Sequence, residues 1–202
     1  MAGPRGKIEG EMAKRQSKTH PTWTDVKKKL AGFDRAELFG LLHDLYAANK
    51  DNQTFLHARF CVSEDVLQPY KETIDRWLWP DVFRHQDVSV FKAKQAISDY
   101  KKAVGEPAGL AELAVFFCER MVGFSREVGY DDAYSNALLG TFAQALQVAS
   151  DLPNSEWKGM VARLDHLSDI SEQFGYGVGD GMVDLLMEYA AEEVGEEVDE
   201  GE

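Results

Sequence analysis

The chain has 202 residues, of which 44% are hydrophobic and 11% aromatic, and its formal net charge at pH 7 is −13. This composition supplies enough apolar side chains for the core of one domain, which excludes an intrinsically disordered chain. No run approaches the ~20 apolar residues of a membrane span and no apolar signal segment opens the sequence, so we expect a soluble cytoplasmic protein without membrane contact.

The charge is distributed unevenly along the chain. Residues 1–29 contain eight Lys or Arg and three acidic residues, a net charge of +5 that leaves −18 for the remainder. From Glu188 to residue 202 there are eight acidic residues and no basic one. We therefore predict a disordered basic leader at residues 1–21 and a disordered acidic tail at residues 191–202.

The first two helices are predicted from their caps. Apolar residues recur at helical spacing, and no segment alternates with the period of two that is typical of strands. Thr22 or Thr24 can cap a first helix that ends near Leu30. Asp34 can cap the second helix, because Glu37 follows three residues later in the spacing of a capping box.

The third and fourth helices are also predicted to begin at polar residues. Asp51 or Asn52 can open the third helix, and Ser63 can open the fourth. Pro69 would fall about two turns inside the fourth helix, where it removes a backbone hydrogen bond, so it predicts a kink. Pro80 then ends that helix.

Residues 80–88 form the longest break in the helical pattern and are the predicted sub-boundary within a single helical domain at residues 22–190. Five more helices are predicted after the break. The first of them, FKAKQAISDYKKAV at residues 91–104, is amphipathic, and residues 108–128 are apolar on more than one face. A last helix through Met182 continues into the acidic tail.

Taken together, the pattern predicts an all-α fold with about nine helices. Pairs of helices would begin near Glu64, Ala108 and Ser155, at intervals of 44 and 47 residues. These intervals are close to the ~40–47-residue period of stacked two-helix repeats such as HEAT units. We therefore predict antiparallel helical hairpins stacked as a short HEAT-like α-α superhelix, with a compact bundle as the alternative.

Cys61 and Cys118 are the two cysteines of the sequence, and each lies in an apolar helical pattern. That placement favours buried thiols in a reducing compartment over a disulfide framework. A thiol inside an apolar helix is inert, so we predict no catalytic role for Cys118.

The stretch GYGVGDG, residues 175–181, has a glycine at every second position. A phosphate-binding loop needs a strand that leads into it, and the segment before Gly175 is predicted to be helical. No Lys follows the glycines, and Asp180 would itself occupy the positive end of the next helix. We predict a tight interhelical turn here.

One basic segment, residues 84–102, stands out from the acidic body of the chain and is the predicted binding site. Its lysines lie outside the apolar stripe of their helix, where they can hold an anionic ligand or an acidic partner segment. Lysines on the outer face of an amphipathic helix also serve solubility, and this alternative stays open. The predicted ligand-binding or partner-binding residues are Arg84, His85, Lys92, Lys94, Lys101 and Lys102.

The segment LDHLSDISE sets Asp165, Asp169 and Glu172 along one helical face, with His166 beside them. Hard oxygen ligands and an imidazole can bind a divalent metal, but their spacing matches no known ligand motif. A solvated acidic face is therefore the favoured interpretation. We predict no catalytic residue, no metal ligand and no cofactor.

Three stretches, FKAKQAISDYKKA, ERMVGFSREVGYDDAYSNALLGTFAQAL and FGYGVGDGMVDLL, resemble a family of bacterial proteins known only as a domain of unknown function. The earlier stretch ELFGLLHDLYAANKDNQTFL resembles the opening helices of that family. The resemblance covers residues 22–190 and implies a bacterial, cytoplasmic, all-helical protein. It implies no activity and no functional residues.

Three functions are compatible with these patterns. The first, which we favour, is a helical protein-interaction module that presents a grooved surface to a protein or peptide partner. The second is a nucleic-acid accessory protein that uses the basic N-terminal arm and residues 84–102, although the acidic body opposes it. The third is a metal-binding protein or enzyme that uses the Asp165–Glu172 face.

Overall fold

The computed structural model describes residues 20–81, 84–128, 132–174 and 177–199, with side chains described for the same ranges except 128, 132–133 and 190–199. Within these ranges all regular structure is α-helical: α1 (Trp23–Leu30), α2 (Arg35–Ala48), α3 (Lys50–Arg59), α4 (Gln68–Leu78), α5 (Val90–Ala103), α6 (Pro107–Val128), α7 (Asp132–Ser150), α8 (Asn154–Ser171) and α9 (Val178–Asp199). The predicted all-α fold is confirmed. None of the helices so described combines the length and hydropathy of a membrane span.

The first two helices begin at the predicted caps. At the start of α1, the backbone N–H and the Oγ1 hydroxyl of Thr22 both donate hydrogen bonds to the Asp25 carboxylate, at 2.9 and 2.8 Å. At the start of α2, the backbone N–H of Asp34 donates to the Glu37 carboxylate and that of Glu37 to the Asp34 carboxylate, each at 2.8 Å. The capping box predicted at Asp34 is confirmed.

The start of α3 differs slightly from the prediction. The cap is Asn49, whose side-chain oxygen accepts a hydrogen bond from the backbone N–H of Asp51 at 2.7 Å, and the helix begins at Lys50. Asparagine and aspartate cap helices about equally well, and three of the four residues at positions 49–52 are of these two types. The choice of Asp51 or Asn52 as the opening residue is therefore wrong by one or two positions.

The predicted kink in α4 is wrong. The helix begins at Gln68 rather than near Ser63, so Pro69 lies in its first turn. A proline there has no intrahelical hydrogen bond to lose. The Asp65 carboxylate oxygen accepts hydrogen bonds from the backbone N–H groups of Leu67 and Gln68, at 2.9 and 3.0 Å, which satisfies amides at the helix start.

The chain divides into two compact units, Met1–Leu45 and Tyr46–Glu202. The first unit contains α1 and most of α2, and neither of these fully described helices has a buried residue. The sub-boundary predicted at residues 80–88 lies inside the second unit, and the predicted domain limits stay a prediction. Seven large apolar side chains of the first unit are exposed: Trp23, Val26, Phe33, Leu38, Phe39, Leu42 and Leu45.

The core of the second unit is built around α6. Leu113, Phe117 and Met121 follow one another at four-residue spacing on this helix, and all three are completely buried. The helix packs against α4, α5, α7 and α8, where Ile74 of α4 and Phe142 of α7 are also completely buried. Each such side chain stabilises the fold by about 1.5–3 kcal/mol. α6 is therefore the element on which the second unit is assembled.

Consecutive helices of the second unit pack as pairs. α4 packs on α5, α6 on α7, and α8 on α9, while α3 packs on α5. α4, α6 and α8 also contact one another in succession, and α7 contacts α9. This order of contacts agrees with the hairpins expected near Glu64, Ala108 and Ser155. The HEAT-like superhelix itself stays a prediction.

Within the glycine-rich stretch, Gly177 lies in the turn between α8 and α9, as the sequence predicts, and residues 178–181 begin α9. Gly177 has a φ of 68°, in the left-handed region that glycine adopts without strain. A Cβ atom at Gly179 would lie 2.8 Å from the Ser171 carbonyl oxygen and from the Glu172 Cα, so the absence of a side chain lets the two helices approach. Residues 175–176 lie outside the described part of the chain.

The two cysteines differ in burial. Cys118 is buried in α6, and burial raises the pKa of its thiol, as expected for an inert cysteine. Cys61 is exposed, with a φ of 50°, so the prediction that both thiols are buried is wrong. α3 ends at Arg59, and the chain turns before Cys61 can follow the apolar face of the helix.

Candidate functional site

A groove of about 400 Å³ lies between α3, α4 and α5 in the second unit. Aromatic side chains from two of the helices and polar side chains from all three face it. The residues that line it are Asp51, Asn52, Thr54, Phe55, Pro69, Tyr70, Thr73, Trp77, Lys92, Gln95, Ala96, Asp99 and Lys102. We refer to this feature as the groove.

The α3 wall of the groove is attached to α5 at its C-terminal end. The guanidinium Nη2 of Arg59 donates a hydrogen bond to the backbone carbonyl of Lys102. Ala58 beside it is buried, which brings the backbone of α3 close to its neighbour. The exposed Phe55 lies one turn earlier, with the Arg59 guanidinium 5.3 Å from its ring centroid. Arg59 therefore positions both the helix and an aromatic side chain of the groove.

The floor of the groove is formed where α4 meets α5. The rings of Tyr70 and Tyr100 pack edge to face, with centroids 5.4 Å apart and an interplanar angle of 82°. Burial raises the pKa of both phenols, so the two rings stay neutral. A Cβ atom at Gly109 of α6 would lie 2.0 Å from the Tyr100 hydroxyl oxygen, so this glycine makes room for the pair. The floor of the groove is therefore closely packed.

A charged network on the far side of α4 holds the groove to the rest of the unit. Lys71 of α4 donates to Glu112 of α6 at 2.6 Å. Arg163 of α8 donates to Glu112 as well, and to Glu119 at 2.8 Å. Burial alone would raise the pKa of Glu112, but the hydrogen bonds from Arg163 and Lys71 outweigh burial and lower it. The network links three helices through one ionised carboxylate.

Trp77 lies at the α4 edge of the groove, and two cations approach its ring. The Nζ atom of Lys92 lies 3.8 Å from the centroid of the Trp77 ring, and the guanidinium carbon of Arg76 lies 4.6 Å from it. Both distances are within the range of cation–π attraction. The backbone N–H of Ser89 donates to the Trp77 carbonyl at 3.0 Å, which fixes the start of α5 against the end of α4.

Farther along α5, Asp99 is already paired inside the groove. Its Oδ1 atom accepts hydrogen bonds from Gln95 at 2.8 Å and from Lys102 at 3.0 Å. The carboxylate therefore has a neutral donor one turn before it and a cation on the following turn. The net charge of this part of the lining is close to zero, in contrast with the surroundings of Trp77.

Of the six predicted binding residues, two line the groove and four do not. Lys92 and Lys102 line the groove, whereas Lys94 and Lys101 are not among its lining residues. Lys94 lies on about the opposite side of α5 from Lys92, because two positions on a helix are about 200° apart. Its Nζ atom lies 6.0 Å from the ring centroid of Phe117 in α6. The lysines of α5 do not form one continuous basic surface.

The other two predicted residues precede α5. Arg84 is exposed, and its Nε atom pairs with the Asp81 carboxylate at 3.2 Å. His85 is exposed and has a φ of 52°, in the left-handed region. Neither residue lines the groove. Their proposed binding role stays a prediction.

Several groove residues were not identified as site residues from the sequence. Phe55 and Trp77 followed the helical apolar pattern and read as core residues, although Phe55 is 37% exposed. Thr73 has no unusual neighbour along the chain, and its role depends on the approach of another helix. The one local signal in the sequence was Arg76 beside Trp77.

The acidic face of α8 is solvated, as favoured from the sequence. Asp165, Asp169 and Glu172 are all exposed, and so is His166. Among the residues that the structure describes, no group of three or more His, Cys, Asp or Glu side chains is arranged to hold a metal ion.

Comparison with known proteins adds no relative to this description. No protein-family model, no curated protein and no solved structure matches the chain.

Proposed function

We propose that this chain is a helical protein-interaction module that binds a peptide segment of a partner protein in the groove. The observation that carries the proposal is the groove itself, an open site of about 400 Å³ between three helices. This volume is within the ~300–1,000 Å³ of typical ligand clefts. The proposal includes the expectations that the protein is bacterial and cytoplasmic and that its helices form a repeat-like stack.

The lining of the groove suits a peptide better than a reaction. The aromatic rings of Phe55 and Trp77 offer apolar contact area, and Gln95 and Thr73 offer hydrogen-bonding groups. Rings of this kind supply most of the binding energy in peptide interfaces, while polar groups set orientation. The lining residues include no serine, histidine or cysteine, which are the usual members of a nucleophile and base pair.

The closely packed floor is a second argument for binding. The Tyr70–Tyr100 pair and the charged network behind α4 hold the helices in place without a ligand. A peptide that enters a groove whose helices are already held together loses its own conformational freedom but does not have to order the protein. We therefore expect binding with little change in the backbone of α4 and α5.

The test is a selection of peptides from a random 12-residue display library on the full chain. Selected peptides should lose binding to Thr73→Tyr, whose larger side chain fills the groove, and keep it on Glu72→Tyr. Both positions are exposed on α4, but Glu72 does not line the groove. Selection of no peptide, or equal loss on the two variants, would contradict the proposal.

A further inference from the structure

We propose that the end of the groove at Trp77 binds a carboxylate, so that the partner segment carries an aspartate or glutamate among neutral or apolar residues. This inference rests on the peptide-binding function proposed above and specifies its partner. We refer to Trp77, Arg76, Lys92 and the first turn of α5 as the anion subsite.

Two cationic groups converge on one aromatic ring in the anion subsite. The Lys92 ammonium lies 3.8 Å and the Arg76 guanidinium 4.6 Å from the Trp77 ring centroid. The separation between the Lys92 ammonium and the Arg76 guanidinium therefore cannot exceed the sum of their two distances to the ring centroid. Within the described ranges of the chain, neither group forms an ion pair with a carboxylate. In a protein with a net charge of −13, two such cations at one aromatic ring are unusual.

The carboxylates nearest to Arg76 along α4 are engaged elsewhere. Glu72, one turn before it, accepts a hydrogen bond from Gln68 at 3.1 Å. Asp75, the preceding residue, pairs with Arg120 of α6. On α5, the Asp99 carboxylate is held by its own helix through the two hydrogen bonds described above. Each of these acids already has a partner of its own, and none of them forms an ion pair with Arg76 or Lys92.

The start of α5 adds to the positive potential. Its N-cap is Ser89, and the residues of its first turn, beginning at Val90, include no acid. No acid of that turn offsets the positive end of the helix dipole, and Lys92 itself belongs to this turn. An anion placed beside Trp77 would meet the helix end and both side-chain cations. Three independent sources of positive potential thus favour the same ligand.

A single carboxylate fits the groove better than a polyanion does. Asp51 and Asp99 also line the groove, so a nucleic-acid strand would place further phosphates against acidic side chains. A peptide can present one carboxylate to the anion subsite and neutral groups elsewhere. The many acids on the rest of the protein are screened over ~8 Å at physiological salt, so the local cations determine what binds.

Apolar side chains of the peptide have surfaces to contact beside the anion subsite. Trp77 is only half-buried, and Phe55 of the α3 wall is 37% exposed. Phe91, which precedes Lys92, is 77% exposed. An acidic residue flanked by apolar residues would therefore satisfy both kinds of group at once, since the ring contacts add to the charge-assisted hydrogen bonds.

The test is the composition of the peptides that the full chain selects from the random 12-residue library. We expect enrichment of Asp or Glu at one position of the selected peptides. A synthetic peptide of the leading sequence should bind Arg76→Gln/Lys92→Gln about 10- to 100-fold more weakly than wild type. The matched control is Lys94→Gln/Lys101→Gln, which removes the same charge from α5 residues outside the groove and should bind within twofold of wild type.

A peptide in which the enriched acid is replaced by its amide completes a double-mutant cycle. It should lose the same 10- to 100-fold on wild type and lose little more on Arg76→Gln/Lys92→Gln, because the carboxylate and the cations act as a pair. Peptides that depend on the groove but show no acidic enrichment would overturn this inference and leave the proposed function standing. Selection of no groove-dependent peptide would overturn the proposed function, and this inference with it.

Discussion

The indole ring of Trp79 lies against Gly123 so closely that a Cβ atom on Gly123 would come within 2.4 Å of a ring carbon. The Arg120 guanidinium covers the same ring, with its carbon 4.3 Å from the ring centroid. The contact joins the end of α4 to the C-terminal part of α6, two residues after Trp77. Because Gly123 has no side chain, the end of α4 can pack closely on α6, and this packing helps to position the Trp77 end of the groove.

We expect Gly123→Ala to destabilise the protein. Alanine is the better helix former by about 0.5–1 kcal/mol, but overpacking against a ring held by Arg120 costs about 1–3 kcal/mol. The net loss should appear in the urea midpoint. Gly140→Ala in α7 is the control, because a Cβ atom there meets nothing within 4 Å, and it should stabilise the fold. Equal effects of the two changes would contradict the close contact.

We expect the ion pairs of Glu112 to make the protein sensitive to acid. The pKa of this carboxylate is lowered in the folded state from its ordinary value of 4.5. Its contribution is therefore fully present above the pKa of the unfolded chain and is lost as the pH falls through the lower folded-state pKa. Glu112→Gln should be less stable at pH 7 by about 1–3 kcal/mol and should lose less stability on acidification.

The measurement is the urea midpoint of unfolding at a series of pH values between 7 and 3. Glu106→Gln, at an exposed position outside the network, should keep the wild-type profile. Parallel profiles for wild type and Glu112→Gln would show that the network carries no acid-sensitive stability.

We expect the two thiols to react very differently. Cys61 is exposed, whereas Cys118 is completely buried and its pKa is raised by that burial. A thiol-reactive disulfide reagent at pH 8 should therefore modify one thiol in the native protein and two in guanidinium chloride. In Cys61→Ser the native protein should show no rapid reaction. Rapid modification of two native thiols would mean that α6 opens readily.

We expect Arg59→Ala to loosen the α3 wall of the groove. The change removes the hydrogen bond to the Lys102 carbonyl, which contributes about 1–2 kcal/mol as a bond from a charged donor. Amide hydrogen exchange in α3 should accelerate about 5- to 30-fold while exchange in α6 stays unchanged. Lys50→Ala, at an exposed position of the same helix, is the control. Unchanged exchange in α3 would show that another contact attaches this helix.

The sequence predicted the helices well because each was set by local chemistry. The spacing of apolar residues and caps such as Asp34 depend only on residues within one or two helical turns. The turn at Gly177 depends on its neighbours in the same way. The errors arose where two local signals competed. Asn49, Asp51 and Asn52 are all good caps, and Pro69 breaks or begins a helix according to where the previous turn ends.

The candidate site could be predicted only in part. Lys92 and Lys102 were identified as unusual cations, but the groove also needs residues of α3 and α4 that lie far from them in sequence. The pairing of Trp77 with Lys92 depends on how two helices meet, and Lys94 was included because sequence proximity does not show the direction of a side chain. Cys61 was misassigned for a related reason, since the end of its helix decided its exposure.

Every helix pair named above for the second unit joins helices that are neighbours or next neighbours along the chain. Native contacts of this kind close short loops, so each can form before distant parts of the chain have met. The second unit should therefore refold within milliseconds of dilution from denaturant. We expect α6 to form first together with the two hairpins that pack against it, α4–α5 and α8–α9. Because folding is this rapid, we expect the acidic chain not to populate misfolded, collapsed states before it reaches the native fold.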